Sequence, residues 1–342
     1  MPPSRRNADP GGLAAAWQRR GPVACLLRPL SLLFAALVAS RRAMYRRGLL
    51  RSVRLPVPVV VIGNLTVGGT GKTPLAIHLA QGLRRLGRYP GIVSRGYRGD
   101  TAQVAEVTTA SDPGAVGDEP LLLAQRCGCP VYVGRDRAAA ARALLAAHPE
   151  CNVILADDGL QHYRLARDVE LALFDERGVM NAWPLPAGPL REPVARLAQV
   201  DAVVLNGCTV PPAPTSGKPV FLMQLRGERF HRLDDPLTTC RTADLLGRQL
   251  HAVAGIGSPQ RFFDRLGKMG LSFAAHSFAD HHKFCAQDLA FAGDAILTTE
   301  KDAVKLARLS LPLAVWVLPV NAEVSPDLAA FVLEKLNGSA SA

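Results

Sequence analysis

Lys72 and Thr73 follow a run of glycines at a spacing that could grip a polyphosphate. The stretch reads Gly63-Asn64-Leu65-Thr66-Val67-Gly68-Gly69-Thr70-Gly71-Lys72-Thr73. Glycines let backbone N–H groups converge on phosphate oxygens, a lysine reaches the β- and γ-phosphates, and a hydroxyl ligates Mg²⁺. The predicted nucleotide contacts are Thr66, Val67, Gly68, Gly69, Thr70, Gly71, Lys72 and Thr73. The usual pattern G-x-x-x-x-G-K-[ST] has glycine where this chain has Thr66. A tight glycine turn with no ligand is the plain structural alternative.

Asp157 and Asp158 supply the other half of that chemistry. They end the apolar run 152–156 and open Asp157-Asp158-Gly159-Leu160-Gln161-His162. Carboxylates at the carboxyl end of a parallel strand sit where α/β sheets place ligands. Beside a phosphate loop they hold Mg²⁺ directly or through water. An aspartate turn without function is the bland reading. The two segments together imply a nucleoside triphosphate with Mg²⁺. Water as the acceptor would make an NTPase, and an alcohol would make a kinase. A kinase also needs a group that orients and finally deprotonates the hydroxyl. Asp118, Glu119, Asp157, Asp158, His162, Asp280, His281 and His282 are the candidates. A carboxylate beside an imidazole fixes the ring tautomer. The histidines could instead bind metal, but the Mg²⁺ setting argues against zinc. The residues alone leave the base open.

Positioning these groups takes strands that end at the site. The run Val57–Ile62 predicts a strand, and Pro74–Arg85 a helix. Further strands are predicted at 91–94, 104–109, 131–133, 152–156, 169–174 and 202–205, with helices at 118–126 and 135–147. Arg95 opens a basic glycine-rich loop, and the Pro-rich loop 181–193 carries Arg191 as its anion-reading residue. A Pro-rich linker at 211–217 precedes two strands, 220–225 and 229–233, predicted as a hairpin. Strands at 251–254, 271–275, 295–299 and 315–318 alternate with helices at 260–269, 284–291 and 328–336. Alternation of this kind predicts an α/β architecture. The expected organisation is a basic arm over 1–54, a core domain over 55–210, a linker and hairpin start over 211–225, and a second α/β domain over 226–342. Part of that last segment is expected to pack back on the core.

The formal charge of +11 sits almost wholly in the arm. Residues 1–54 hold eleven arginines and one acid, Asp9, so they carry +10 and the remainder +1. That distribution argues against a diffuse nucleic-acid face. The apolar run Leu30–Ala39 is flanked by arginines and is shorter than the roughly 20 residues of a full span. A helix lying on an anionic leaflet is the expected arrangement; a basic helix packed on the domain is the alternative. A cleavable signal peptide fits poorly. Seven scattered cysteines suggest reduced thiols rather than a disulfide framework.

The motifs in combination resemble one family, the tetraacyldisaccharide 4'-kinases. The matching stretches are 63–74, Ser94–Arg98, Gly117–Pro120, Asp157–His162, Pro186–Pro193, Ala254–Phe263, Phe278–His282 and Thr298–Lys305, within about residues 17–320. The resemblance implies a P-loop α/β core, a smaller second domain and an N-terminal membrane-associated helix. It implies ATP-dependent phosphorylation of the 4'-hydroxyl of a tetraacylated disaccharide 1-phosphate, giving the 1,4'-bisphosphorylated lipid A precursor. The expected location is the cytoplasmic face of the bacterial inner membrane, with no nucleic acid and no obligatory protein partner.

Carried over by motif, Lys72 and Thr73 bind phosphate and Mg²⁺. Asp118 is the implied general base, paired with His281, with Asp280 as a supporting neighbour. Glu119 and Asp158 are implied in the Mg²⁺ environment, and Asp157 belongs to the same acidic pair. Arg95, Gln161, His162 and Arg191 are expected substrate contacts. Threonine at 66 is accepted in the family, whereas Leu160 and Ser258 depart from its frequent phenylalanine and asparagine. A membrane-peripheral ATPase and a binding-only protein are the competing readings.

Overall fold

The computed structural model describes residues 13–96, 103–213, 215 and 217–339. Tyr97 and Arg98 of the basic loop, Pro214 and Ser216 of the linker, and residues 1–12 lie outside them. The arm forms α1 (Leu13–Ala16), α2 (Pro22–Leu26) and α3 (Arg28–Arg46). Then come β1 (Val59–Gly63), α4 (Lys72–Arg85), β2 (Pro90–Ser94), β3 (Ala105–Val107), α5 (Pro113–Val116), α6 (Asp118–Cys127), β4 (Val131–Val133), α7 (Arg137–Ala147), β5 (Val153–Asp157), β6 (Val169–Asp175) and β7 (Ala202–Asn206). The remainder is β8 (Val220–Arg226), β9 (Arg229–Arg232), β10 (Thr239–Arg241), β11 (Leu250–Ala254), α8 (Pro259–Lys268), β12 (Phe273–Ser277), β13 (Ala295–Thr299), α9 (Glu300–Leu306), β14 (Ala314–Leu318), β15 (Asn321–Ser325) and α10 (Leu328–Ser339).

Two sheets organise the chain. The larger has strand order β15-β8-β7-β6-β1-β5-β2-β4-β3, with antiparallel strands only at its two edges. Its central strands β1, β5 and β6 are buried along their whole length. That explains their continuous apolar runs, since helices or loops cover both faces. β1 lies beside β5 with Ile62 opposite Asp157. The register therefore sets the glycine loop and the aspartate pair side by side at the carboxyl ends of these two central strands, where α/β sheets form ligand crevices. The second sheet has order β10-β9-β14-β13-β11-β12. Each sheet carries an apolar cluster on either face.

The predicted hairpin does not form. Val220–Arg226 pairs with β7 and β15 in the large sheet, whereas Arg229–Arg232 pairs with β10 and β14 in the small one. Gly227 makes the crossing: a Cβ there would collide with the Pro319 carbonyl oxygen. The chain returns through β15, and α10 packs on α4 so closely that Gly82 has room for no Cβ against Ala329. The predicted helix at 284–291 is only a 3₁₀ turn over Ala286–Leu289.

The arm docks on the Pro-rich loop. Trp17 Nε1 donates to the Pro186 carbonyl at 2.8 Å, and Ser31 Oγ to that of Pro184 at 2.8 Å. The guanidinium groups of Arg20 and Arg28 stack over Trp183. The other side of the arm leaves Val23, Leu26, Leu30, Leu32, Leu33 and Leu37 exposed. Among the described residues no helix is long and apolar enough to cross a membrane.

Candidate active site

A cavity of about 1380 Å³ opens between the two sheets. Val67 to Pro74, the acidic residues Asp118, Glu119, Asp157 and Asp158, and the 256–258 and 280–281 turns line it. Phe34, Val38 and Arg41 of α3 extend the wall to the arm.

The glycine loop leaves β1 and turns into α4. Gly71 has φ +99°, and a Cβ there would stand 2.6 Å from Asn206 Nδ2. Glycine is therefore required on both conformational and steric grounds. Asn206 also donates to the Thr70 carbonyl at 2.9 Å. Arg177 donates to the Gly69 carbonyl at 2.9 Å and is itself held by Asp175. Thr66 lies behind the loop, buried and bridged to Leu190, and Val67 donates its N–H to the Pro189 carbonyl.

Lys72 points back along this loop. Its Nζ is 3.3 Å from Asn64 Oδ1 and 3.5 Å from Asp158 Oδ1. Arg191 closes on the same Asp158 carboxylate at 3.0 Å. Arg137, buried at the start of α7, donates to the backbone carbonyls of Asp157 and Asp158. Burial pushes Asp158 up, but the charges of Lys72, Arg191 and Arg137 outweigh it and hold the carboxyl at about 2. Asp157 responds in the opposite sense. Burial and the charge of Glu119 push it up to about 7, and its Oδ1 has no hydrogen-bond partner. One of two adjacent carboxyls is thus ionised firmly and its neighbour weakly.

On the facing wall, His281 Nδ1 lies 3.0 Å from Asp118 Oδ2. Asp118 starts α6, whereas His281 sits in the turn after β12 with φ +61°. Burial pushes Asp118 up, but the hydrogen bond from His281 and the charges of Lys305, His281 and Lys301 bring it below its usual value. Asp118 is therefore a carboxylate that accepts a hydrogen bond from Nδ1, while His281 Nε2 faces Asp280 Oδ2 at 3.6 Å. Lys301 Nζ lies 3.5 Å from that Nε2, 2.9 Å from Glu119 and 3.2 Å from Asp280. Burial lowers the Lys301 pKa, but Glu119 and Asp280 outweigh it and raise it above the ordinary lysine range.

Gln161 lines the cavity while donating to the Asn64 carbonyl and to Glu192. His162 is partly buried, and its Nε2 has no hydrogen-bond partner. Burial and the charge of Arg137 lower its pKa to about 4. Arg95 is exposed at the rim. His282 turns away from the cavity to Asp288 at 3.0 Å. Sequence reasoning missed Asn64, Arg177, Asn206 and Lys301. The available signal for Lys301 was its spacing of four from Lys305 on one short helix, which puts two ammonium groups on one face.

A family model described as tetraacyldisaccharide-1-P 4'-kinase (LpxK) matches residues 23–337. The tetraacyldisaccharide 4'-kinase of Azoarcus sp. is 54% identical over 321 residues, covering 94% of each chain. That of Dechloromonas aromatica is 54% identical over 323 residues, covering 94% of this chain and 95% of its own. A crystal structure of LpxK from Aquifex aeolicus in complex with ATP aligns with TM-score 0.77 at 29% identity, covering 93% of this chain and 99% of that one. On this evidence the chain belongs to the tetraacyldisaccharide 4'-kinase family and is an ATP-dependent enzyme that phosphorylates the 4'-hydroxyl of tetraacyldisaccharide 1-phosphate.

Proposed function

We propose that phosphoryl transfer takes place in this cavity, between a P-loop formed by residues 66–73 and an acceptor-activating dyad formed by Asp118 and His281. The observation that carries this reading is the 3.0 Å contact between His281 and Asp118, on the same cavity as the glycine loop. Backbone N–H groups of Gly68 to Gly71 and the Lys72 ammonium bind the phosphates of ATP. Bound ATP with Mg²⁺ supplies the transferable phosphoryl group and much of its charge neutralisation.

The acidic residues fit a magnesium ion. Asp157 is buried with an unpartnered oxygen, and its neighbours Asp158 and Glu119 crowd it with negative charge. Thr73, Glu119 and Asp158 would hold the ion, with Asp157 behind them. Among the described residues no three His, Cys, Asp or Glu side chains form a ready metal cage. A site completed by nucleotide oxygens and water suits magnesium.

Asp118 orients the 4'-hydroxyl and takes its proton as the new O–P bond forms and the bond from the γ-phosphorus to the departing ADP oxygen breaks. In a loose transition state the hydroxyl becomes acidic late, so orientation is the larger part of this task. His281 donates Nδ1–H to Asp118 and keeps the carboxylate aimed. Arg95, Gln161, His162 and Arg191 line the side of the cavity available to the sugar and its phosphate.

The arm seats the enzyme on the cytoplasmic face of the inner membrane. Its exposed leucines would enter the anionic leaflet while its arginines meet lipid phosphates. Phe34 and Val38 continue that apolar surface into the cavity, a path suited to acyl chains. The test is label transfer from γ-labelled ATP to the lipid, with nucleotide affinity measured in parallel. Lys72→Ala should lose both transfer and nucleotide affinity. Asp118→Asn should lose transfer and keep affinity; a nucleotide affinity lost equally in both would overturn the assignment of roles.

A further inference from the structure

We propose that Lys301 binds the phosphoryl group in transit, as a cationic finger supplied in cis by the second domain. The proposal rests on the reading of the cavity given above. If phosphate is gripped at Lys72 and the hydroxyl is held at Asp118 and His281, the group in transit passes between them. Lys72 serves the donor end. Lys301 is the ammonium at the acceptor end, 3.5 Å from His281 Nε2.

Its setting suits a residue that changes partners. Lys301 lines the cavity and is mostly buried, with a side-chain exposure of 18%. It ties Glu119 of the large-sheet domain to Asp280 of the small-sheet domain, at 2.9 and 3.2 Å. Glu119 is one of the residues suited to hold magnesium. A divalent ion there would compete directly with Lys301 for that carboxylate, freeing the ammonium for phosphate oxygens. Phosphoryl transfer depends on charge neutralisation around the equatorial oxygens, and a finger of this kind has large leverage.

The plain alternative is a structural ion pair between domains. Arg126 offers a control, since it joins α6 to Glu300 and Asn321 beside Lys301 without lining the cavity. In Lys301→Gln, label transfer to the lipid should fall about 10²–10³-fold. Affinity for a non-hydrolysable ATP analogue with Mg²⁺ should fall about tenfold or more, with ADP affinity little changed. Lys301→Arg should recover part of the triphosphate preference, and Arg126→Gln should leave it intact. Equal loss of ADP and analogue binding in Lys301→Gln, or the same pattern in Arg126→Gln, would overturn the proposal.

Should Lys301→Gln fail to fold, the wild-type enzyme still decides. Amine acylation followed by mass spectrometry should show Lys301 protected by the triphosphate analogue and not by saturating ADP. Equal protection would refute the finger. Lys72→Ala separates the two readings: retained nucleotide binding there sinks the site assignment, whereas its loss beside a silent Lys301→Gln sinks only Lys301.

Discussion

His281 Nδ1 and Asp118 Oδ2 lie 3.0 Å apart although 163 residues separate them in sequence. Asp118 is fixed by the start of α6, and His281 by a turn beyond β12 in the other sheet. The dyad thus exists only while the two sheets face each other, and anything that separates them dismantles it.

Residues that act as a pair should lose function non-additively. Asp118→Ala and His281→Ala are each expected to lower kcat by about 10²–10⁴-fold. The double variant should be little worse than the more damaging single one. Steady-state kinetics of the three variants measure this; a product of the two single losses would mean that the residues act independently.

Gly71→Ala tests the loop. Its φ of +99° and the 2.6 Å approach to Asn206 should cost about 1–3 kcal/mol of stability. Displacing Asn206 would also release the Thr70 carbonyl and weaken nucleotide binding. Urea unfolding and calorimetry are the checks, and unchanged values in both would count against a strained, ligand-shaped loop.

The exposed face of the arm can be altered without touching its docking contacts. Leu26→Glu with Leu37→Glu should reduce binding to vesicles containing anionic lipid by at least about tenfold, given ~1.5–3 kcal/mol per buried leucine. Cosedimentation measures it. Phosphorylation of a detergent-dispersed substrate should be affected far less than that of a vesicle-borne one. Undiminished vesicle binding would place the membrane contact elsewhere.

His162 gives a pH signature. Burial and Arg137 hold its pKa at about 4, against an unfolded value near 6.5. Between those pH values the unfolded chain binds a proton that the folded chain refuses. Stability therefore falls as the pH drops through this window. His162→Gln should shallow the loss between pH 6.5 and 4, read as urea midpoints for both proteins. An identical loss would remove His162 from the account.

Local signals carried much of this arrangement. β-branched runs marked β1 and β5, and the breaks after them marked the glycine loop and Asp157-Asp158. Elements set by distant pairing were less legible. Val220–Arg226 is only half covered and takes Asn321–Ser325 as its antiparallel neighbour. No local pattern announces a partner so far along the chain, and sequence proximity favours the nearer Arg229–Arg232. Lys301 stayed hidden for the same reason. Its surroundings come from α6 and the turn holding Asp280 and His281, and nothing in Thr299-Glu300-Lys301-Asp302 reveals them.

The most direct measurement is a structure of the enzyme with a non-hydrolysable ATP analogue, Mg²⁺ and the lipid disaccharide. The 4'-oxygen should lie within about 3.2 Å of the Asp118 carboxylate, with the terminal phosphate between it and Lys72. A lipid bound with that oxygen remote from Asp118, or a terminal phosphate turned away from it, would contradict the account.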